Sequence, residues 1–456
     1  MNIRVDQRTP DLFGKVDEAE YVDRLPPADQ ISNGDIFIIR NFESRYLTHK
    51  FHKYPGKFTP EVPRWALDNY LPEKASSVVL DPFLGSGTTL VEASMLPIEG
   101  FGVDVDPLAR LIAKVKTTPI NVDTLRRVIS TVSSDIHTSK ALGEIPSIST
   151  LNHWFTPDAT LELSRILGVI DSYQDDPDIY DFLLVCFSAI IRRASNADNQ
   201  TMKTYVSGTH PKIPESAIAL FSAVISDYGQ RLEKYGKLRN PSATTTIINC
   251  GDARNLSEIW SRDSLPPVDL AITSPPYIKS VDYVYNQMAE LFWIGRRWGL
   301  ETQPKQNEFK KKYMGNDRPG GGRTAFSGDA ELSPSIERWL SQIAGKDPKL
   351  SCVARNYFVD TVKHFDTMAK LMNVGAHYVY VVGNSTLAGI AIPTHALVVQ
   401  CALQSGFALK LCFGYEIRNK HMRFPRGRNG GQVVHDWVLT FELGGGNYGE
   451  RKSSNE

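Results

Sequence analysis

Four consecutive residues, Ser274, Pro275, Pro276 and Tyr277, are the first candidates for chemistry. They close "AITSPPY" (271–277), which begins as a buried strand. The serine hydroxyl and the proline carbonyls accept hydrogen bonds, and the prolines hold φ near about −65°, which keeps those acceptors aimed. The tyrosine adds a flat ring for stacking. Because a strand-ending turn with a buried tyrosine is the better explanation of the tetrapeptide on its own, its interpretation depends on what accompanies it.

A glycine loop is the second candidate. "DPFLGSGTTL" (81–90) places Gly85 and Gly87 between a strand and a helix. Glycines at such a turn let the backbone bend sharply and let a ligand approach closely. The loop lacks the P-loop lysine and the third glycine of the nicotinamide fingerprint, which disfavours both of those ligands.

Two aspartates follow the next two strands. Asp104 lies in "GVDVDP" (102–107), and Asp252 lies in "NCGDARNL" (249–256). A carboxylate at this edge of a sheet can accept hydrogen bonds from both ribose hydroxyls, and a second one can accept from an adenine amino group. Either aspartate alone is explained as a helix cap or turn residue. Polar or glycine-rich ends on three successive strands indicate a nucleoside ligand.

Taken together, "DPFLGSGTTL", "GVDVDP" and "TSPPY" resemble the S-adenosylmethionine-dependent DNA methyltransferases that modify exocyclic amino groups, making N4-methylcytosine or N6-methyladenine. "HKYPGKFTPEVPRW" (52–65) is similar to the segment that closes over the methionine end of the cofactor in that family. "VVGNS" and "HDWVLTFE" are similar to its late strands. The resemblance covers roughly residues 50–120 and 244–445.

The resemblance implies S-adenosylmethionine as the cofactor and double-stranded DNA as the substrate. By matched position, the cofactor-binding residues are Thr59 and Pro60 near the carboxylate, Asp81 near the amino acid end, Phe83, Gly85 and Gly87 around the cofactor, Asp104 at the ribose and Asp252 at the adenine.

The same resemblance implies the role of the tetrapeptide. An exocyclic amine is a weak nucleophile because its lone pair is delocalised into the ring. Ser274 and the Pro275 carbonyl would accept its hydrogen bonds and draw it toward sp3 geometry, while Tyr277 stacks on a base flipped out of the duplex. Downstream, Tyr283, Tyr285 and Trp293 have the helical spacing of core residues, and Asp282 is close enough in sequence to shape the pocket.

Serine at the first position of the tetrapeptide favours cytosine N4, with adenine N6 as the alternative. An RNA amino-methyltransferase is less favoured, because only about fifty residues precede the match and such enzymes usually carry an N-terminal RNA-binding domain. The intact tetrapeptide argues against a non-catalytic DNA-binding module.

Positioning these residues requires several strands to end at one edge of a sheet. The β-rich runs are residues 77–81, 100–105, 244–250, 268–273 and 377–384. Most are continuously apolar, as strands covered on both faces are, and helical patterns alternate with them. The sequence predicts an α/β fold: a doubly wound, mostly parallel, Rossmann-like methyltransferase sheet with an antiparallel hairpin at its edge and an inserted helical subdomain.

Seven segments follow from this pattern. They are an N-terminal extension (1–50), the first part of the core (51–120), an inserted helical subdomain (121–243), the core with the tetrapeptide (244–300), a mobile loop (301–350), the rest of the core (351–445) and a disordered tail (446–456). The insertion and the loop are the candidates for DNA recognition.

The formal net charge is zero, so any contact with DNA phosphates must come from local clusters. Three basic stretches supply the candidates: Arg192, Arg193 and Asn196; Lys311 and Arg323; and Arg418, Arg423 and Arg426. A solvated surface is the better explanation of any single one of these stretches taken alone.

Composition supports a soluble protein. No window approaches the roughly 20 apolar residues of a membrane span, and the N-terminus lacks an apolar signal core. Five scattered cysteines favour reduced thiols, with no metal site and no disulfide framework. We therefore expect a cytoplasmic, nucleoid-associated protein, monomeric or homodimeric, with room for a separately acting restriction endonuclease as its partner.

Overall fold

A computed structural model describes residues 19–40, 46–57, 59–74, 76–199, 204–249, 251–279, 281–315, 330–416 and 435–445. Some predictions lie outside these residues: Arg323, Arg418, Arg423, Arg426 and the tail 446–456.

The strands are β1 (Glu20–Val22), β2 (Ile36–Ile39), β3 (Val78–Asp81), β4 (Glu99–Val103), β5 (Thr244–Ile248), β6 (Val268–Thr273), β7 (Met372–Gly383), β8 (Ser385–Leu387), β9 (Ile390–Ile392), β10 (Phe407–Glu416) and β11 (His435–Leu443).

The α-helices are α1 (Glu61–Tyr70), α2 (Thr88–Ala93), α3 (Pro107–Thr117), α4 (Val122–Thr138), α5 (Leu151–Trp154), α6 (Pro157–Asp171), α7 (Pro177–Ala194), α8 (Ala217–Leu238), α9 (Ser257–Arg262), α10 (Tyr283–Asn286), α11 (Met288–Ile294), α12 (Gln303–Phe309), α13 (Pro334–Ala344), α14 (Pro348–Leu371) and α15 (Thr394–Gln404).

One sheet organises the described chain, with strand order β1-β2-β10-β11-β7-β6-β3-β4-β5. The five strands from β7 to β5 in that order are parallel, whereas β11 runs antiparallel to both β7 and β10. From β3 the chain moves outward through β4 and β5, and then returns to the other side of β3 through β6 and β7. The strand order therefore reverses between β3 and β6, and the predicted doubly wound sheet is confirmed.

The central strands are buried on both faces, as their apolar sequences predict. Every residue of β3 and β6 is buried. Val79 and Leu270 pack on one face of the sheet and Leu80 and Ala271 on the other, each with a separate hydrophobic cluster. Covering both faces leaves the carboxyl edge of the sheet as the place where a ligand can reach these strands.

The side of the sheet near the predicted hairpin differs from expectation. Strands β10 and β11 form the antiparallel pair, but β2 and β1 lie outside it, with Ile36 and Phe37 paired to Gly414 and Tyr415. The N-terminal extension thus contributes two strands to the sheet. Strand β2 consists of only four apolar residues, "IFII". A run this short does not distinguish a strand from a buried stretch of loop.

Residues 121–243 contain helices α4 to α8, in agreement with the predicted helical character. Their core is continuous with that of the sheet domain: Leu108 and Ile112 of α3 belong to the same hydrophobic cluster as Phe182 of α7. Phe51 stacks on Tyr228 of α8 with 4.2 Å between ring centroids. The helices therefore form a layer packed on the sheet domain.

The prediction of a mobile loop at residues 301–350 is wrong for the part of this stretch that the structure describes. Helix α12 lies at one end of this stretch and α13 near the other, while residues 316–329 lie outside the described chain. Ile336, Leu340 and Ile343 are buried on one face of α13, at the spacing of an amphipathic helix. The surrounding glycines and charges masked that pattern.

No helix among the described residues is long and apolar enough to cross a membrane. Cys186, Cys401 and Cys412 are buried free thiols, Cys352 is an exposed free thiol, and Cys250 lies outside the described residues.

Candidate active site

A cleft opens at the carboxyl edge of the sheet, where the strand order reverses. A cleft at such a reversal is the usual ligand site of a doubly wound sheet. The predicted site residues in its wall are Phe83, Gly85, Asp104, Asp252, Ser274 and Pro276.

The two glycines of the loop have different roles. Gly85 lines the cleft at φ +49°, and its N–H donates to Asp104 Oδ2 over 2.8 Å. Gly87, at φ +80°, faces α3, and a Cβ there would lie 2.8 Å from the Ala113 Cβ. Gly85 therefore shapes the ligand surface, whereas Gly87 lets α2 and α3 pack closely.

Asp104 occupies the position predicted for a ribose-binding carboxylate. It lies in the cleft wall, and its Oδ1 accepts from the Asp106 N–H over 2.8 Å. Burial, reinforced by the neighbouring Asp106 carboxylate, raises the pKa of Asp104 to about 7. A ligand hydroxyl that donates to the carboxylate would favour its ionised form.

Asp252 also lies in the cleft wall, held by Arg254. The guanidinium donates to Asp252 Oδ1 and Oδ2 over 2.9 and 2.6 Å, and to Asp360 Oδ2 over 2.7 Å. Arg254 is almost fully buried, and its contact with Asp360 ties the loop after β5 to helix α14. Sequence analysis did not single out Arg254, although it lies two residues from the predicted aspartate.

Asp81 does not lie in the cleft wall; its side chain is fully buried. Its oxygens accept from the hydroxyls of Thr89 and Thr273 over 2.6 and 2.7 Å, and from the Phe83 N–H over 3.1 Å. Burial raises its pKa to about 6, against the opposing effect of these donors. Asp81 thus joins the end of β3 to the end of β6, immediately before the tetrapeptide.

Thr59 and Pro60 are buried beside the start of α1, outside the cleft wall. The Thr59 hydroxyl donates to Glu61 Oε2 over 2.6 Å. From the same segment, Tyr54, Gly56 and Lys57 line the cleft instead. The matched segment therefore does approach the site, but through residues that sequence analysis did not name.

The tetrapeptide follows β6 directly. Ser274 and Pro276 line the cleft, while Pro275 is buried between them. The Tyr277 hydroxyl lies within hydrogen-bonding reach of Ser274 and Asp436, and burial with the nearby Asp436 carboxylate raises the pKa of Tyr277 well above its usual value. The β11 strand therefore helps to hold the tyrosine.

A second cleft adjoins the first. Four residues line both clefts: Pro276, Tyr283, Tyr313 and Met314. Tyr277 and Asp282 line the second cleft but not the first. The tetrapeptide thus lies where a cleft that carries the glycine loop and two aspartates adjoins a cleft that carries Tyr277, and the two clefts share the rings of Tyr283 and Tyr313.

An aromatic cluster that sequence analysis did not assign to the site bounds both clefts. The rings of Tyr283 and Tyr313 stack with 5.7 Å between centroids, and Tyr54 lies 5.9 Å from Tyr283. The Tyr54 hydroxyl donates to Asp106 Oδ2 over 3.3 Å. Trp293 is buried in the helical core as expected, and Tyr283 and Tyr285 pack against that core while remaining partly exposed. Tyr283 has a second position that was not expected, in the wall of both clefts.

The described candidates for DNA contact already interact with other residues of this chain. Arg192 donates to the Asp198 carbonyl over 2.9 Å, and Arg193 pairs with Glu215 over 2.7 Å. Asn196 donates to the His153 carbonyl over 3.0 Å, and Lys311 pairs with Glu308 over 2.5 Å. Arg193 and Lys311 remain accessible to solvent, whereas Arg192 and Asn196 organise the end of α7.

No cluster of His, Cys, Asp and Glu among the described residues has an arrangement suited to a metal ion.

Two curated relatives align along much of the chain. M.MvaI of Kocuria varians, a type II methyltransferase, is 26% identical over 423 residues, covering 88% of this chain and 91% of its own. M.MjaII of Methanocaldococcus jannaschii, also a type II methyltransferase, is 23% identical over 388 residues, covering 65% and 70% respectively. The chain is therefore similar to type II methyltransferases over much of its length, in agreement with the resemblance indicated by its motifs.

No family model matches this chain. Among solved structures, the rRNA methyltransferase aviRa of Streptomyces viridochromogenes aligns at 9% identity with a TM-score of 0.30, covering 89% of this chain and 94% of that one. A likeness this slight does not support the fold assignment, which rests on the strand order.

Proposed function

We propose that this protein is an S-adenosylmethionine-dependent DNA methyltransferase that methylates N4 of cytosine in a duplex by flipping the target base. The observation that carries the proposal is the pair of adjoining clefts with the tetrapeptide between them. One cleft has the groups that a nucleoside cofactor needs. The other has the aromatic wall that a flipped base needs.

The first cleft fits the cofactor by its hydrogen-bond acceptors and its open backbone. Asp104 accepts the ribose hydroxyls, Asp252 accepts the adenine amino group, and Gly85 leaves the backbone open to close approach. Phe83 presents an apolar surface beside them. S-adenosylmethionine held there would supply an electrophilic methyl group to the base amine, with S-adenosylhomocysteine as the leaving group and the amine proton passing to solvent.

The tetrapeptide prepares the acceptor amine. The Ser274 hydroxyl and the Pro275 carbonyl accept its N–H bonds, which localises the nitrogen lone pair, and the rigid prolines keep both acceptors in place. Tyr277 stacks on the base from the second cleft. The amine becomes strongly acidic only after methylation begins, so no strong base is required beforehand.

Serine at the head of the tetrapeptide supports cytosine over adenine. The adenine N6 enzyme remains the alternative, because the same two acceptors suit either amine. Recognition of the DNA site falls to the helices of residues 121–243 and to residues 301–350, and a restriction endonuclease acting separately is a compatible partner.

Methylation-aware sequencing of DNA from cells that express the protein tests the proposal. We expect N4-methylcytosine at one recurrent sequence, absent from cells that express the Pro275→Ala variant. N6-methyladenine at a recurrent sequence would replace the cytosine assignment with the adenine one. DNA without either base, from cells that contain the folded protein, would overturn the proposal.

A further inference from the structure

The wall of the second cleft contains an ion pair whose role the proposed chemistry leaves unassigned. Lys310 Nζ lies 2.6 Å from Asp282 Oδ2, and both residues line the cleft. The lysine side chain is only 9% exposed, whereas the aspartate side chain is 34% exposed. A nearly buried ammonium at this place is unusual, because surface lysines normally extend into water.

The pair is held by contacts with helix α10, in the wall of the cleft that Pro276 and Tyr277 also line. Asp282 caps helix α10, its Oδ1 accepting from the Tyr285 N–H over 2.9 Å, and the Lys310 ammonium lies 5.5 Å from the centre of the Tyr285 ring. A few residues on, the backbone of Gly315 packs so closely on Tyr277 that a Cβ would lie 3.0 Å from its carbonyl oxygen. The segment that carries Lys310 therefore has a fixed position relative to Tyr277, the residue proposed to stack on the flipped base.

An ammonium in this wall discriminates between bases by hydrogen-bond polarity. Once N4 faces the tetrapeptide, the polar atoms left on cytosine are N3 and O2, and both are acceptors. Adenine presents N1 and then a C–H group along the corresponding edge. Lysine has three donors and no acceptor, so a lysine facing this edge gains a charge-assisted bond to O2 that adenine cannot replace.

We propose that Lys310 is the residue that selects cytosine, by donating to its O2 while Asp282 holds the ammonium in place. This inference rests on the proposed function, since it assumes that the flipped base occupies the second cleft. It assigns base choice to a side chain outside the tetrapeptide.

Replacing cytosine O2 by sulfur tests the contact directly, because thiocarbonyl sulfur is a weak acceptor. The target cytosine of a cognate duplex is replaced by 2-thiocytosine, and kcat/KM is measured for the wild type, Lys310→Met and Lys311→Met. Lys311 is the matched control: it is the next residue along the chain, exposed and paired with Glu308, and it is absent from the cleft wall.

We expect sulfur to reduce kcat/KM of the wild type and of Lys311→Met by about 10- to 100-fold, as loss of a charged hydrogen bond does. Lys310→Met should be reduced by a similar factor on the normal duplex and should then respond to sulfur by no more than about twofold, because the contact has already been removed. A purely structural role for Lys310 would leave the sulfur effect intact in the variant.

The inference would be overturned if sulfur reduced kcat/KM by the same factor in Lys310→Met as in the wild type. It would also be overturned if sulfur left kcat/KM of the wild type unchanged, and this second measurement needs no variant. Either result leaves the proposed function in place. Absence of methyl transfer to the normal duplex is the distinct outcome that would overturn the proposed function itself.

Discussion

At the scale of single residues, two carboxylates at similar positions along the sheet have side chains that point in different directions. Asp81 and Asp104 both come at the carboxyl end of a parallel strand. Asp104 faces the cleft and accepts backbone N–H groups, whereas Asp81 turns inward to two threonine hydroxyls. A strand end identifies where a carboxylate lies along the sheet, but the side-chain direction depends on partners from distant segments.

Cofactor affinity should depend on pH through Asp104. Its pKa is raised to about 7 in the free protein, so the carboxyl group takes up a proton as the pH falls through that value. The ionised form accepts the ribose hydroxyls, and we therefore expect S-adenosylhomocysteine to bind more weakly at pH 6 than at pH 8. Calorimetric titration across this range measures the change.

The matched variant is Asp104→Asn, which has nearly the same shape and no titration. It should bind S-adenosylhomocysteine more weakly than the wild type at pH 8, with little further change on acidification. Wild-type affinity that rises as the pH falls would contradict the assignment of Asp104 to the ribose.

Tyr277 should matter for turnover and little for the cofactor. Removing its ring in Tyr277→Ala deletes a stacking contact of about 1–3 kcal/mol, so kcat/KM for DNA should fall by about 5- to 150-fold. Tyr277→Phe keeps the ring and should retain most activity, while losing the hydroxyl contacts with Ser274 and Asp436. Methyl-transfer kinetics with S-adenosylhomocysteine titration separate the two effects.

Equal loss of activity in Tyr277→Ala and Tyr277→Phe would shift the role of this residue from stacking to its hydroxyl.

Residue types within a motif were predictable, but residues that converge from different segments were not. Ser274, Gly85, Asp104 and Asp252 were found because each lies within four residues of the end of a strand. Tyr313 comes from a stretch interpreted as a loop, and nothing in its local sequence places it beside the cleft.

At the scale of elements, the contact that matters most joins β3 to β6. Asp81 accepts from Thr89 on α2 and from Thr273 at the end of β6, so one buried carboxylate fixes the glycine loop relative to the tetrapeptide. The reversal of strand order brings these two strands side by side, and the carboxylate sets their relative position at the edge where the cleft opens.

Thr273→Val should destabilise the fold by about 1–3 kcal/mol, because a buried carboxylate loses a donor while the shape of the side chain is kept. The free energy of unfolding, measured with urea, reports the loss. Since the pKa of Asp81 is raised to about 6, its carboxyl is largely ionised at pH 8 and protonated at pH 5, and the penalty should be larger at pH 8.

Thr246→Val on the edge strand β5 is the control, because Thr246 is exposed. An effect of Thr273→Val no larger than that of the control would mean that the Asp81 contact does not join the strands energetically.

The central strands were predictable because burial on both faces imposes continuous apolar runs. Strand β2 and helix α13 were missed for opposite reasons. The β2 run is too short to show a period, and the buried face of α13 lies in a segment rich in charge. Its three buried residues have helical spacing, a signal that could have revealed the helix.

At the scale of the whole molecule, the chain carries no net charge, so attraction to DNA must be local. Each phosphate neutralised by a basic side chain contributes about 0.9 to the slope of log affinity against log salt. Replacing Arg418, Arg423 and Arg426 together by glutamine should therefore weaken DNA binding and reduce that slope by about 2 to 3. Fluorescence anisotropy at several salt concentrations measures both.

Arg262→Gln is the control. This residue pairs with Asp263 before the amino end of β6, at the edge of the sheet opposite the clefts. An unchanged slope in the triple variant would exclude these arginines from phosphate contact.

The helices of residues 121–243 share one hydrophobic core with α3 of the sheet domain. From the sequence, the length and helical pattern of this insertion were evident, but its docking was not. Contacts such as Phe51 with Tyr228 join residues far apart along the chain, and neither residue reveals its partner.

Nucleoside mass spectrometry tests the central claim most directly. Purified protein is incubated with S-adenosylmethionine carrying a deuterated methyl group and with duplex DNA that contains the site, and the DNA is then digested to nucleosides. We predict labelled N4-methyldeoxycytidine, lost in Pro275→Ala although S-adenosylhomocysteine still binds that variant. Labelled N6-methyldeoxyadenosine, or no labelled nucleoside from folded, cofactor-binding protein, would contradict it.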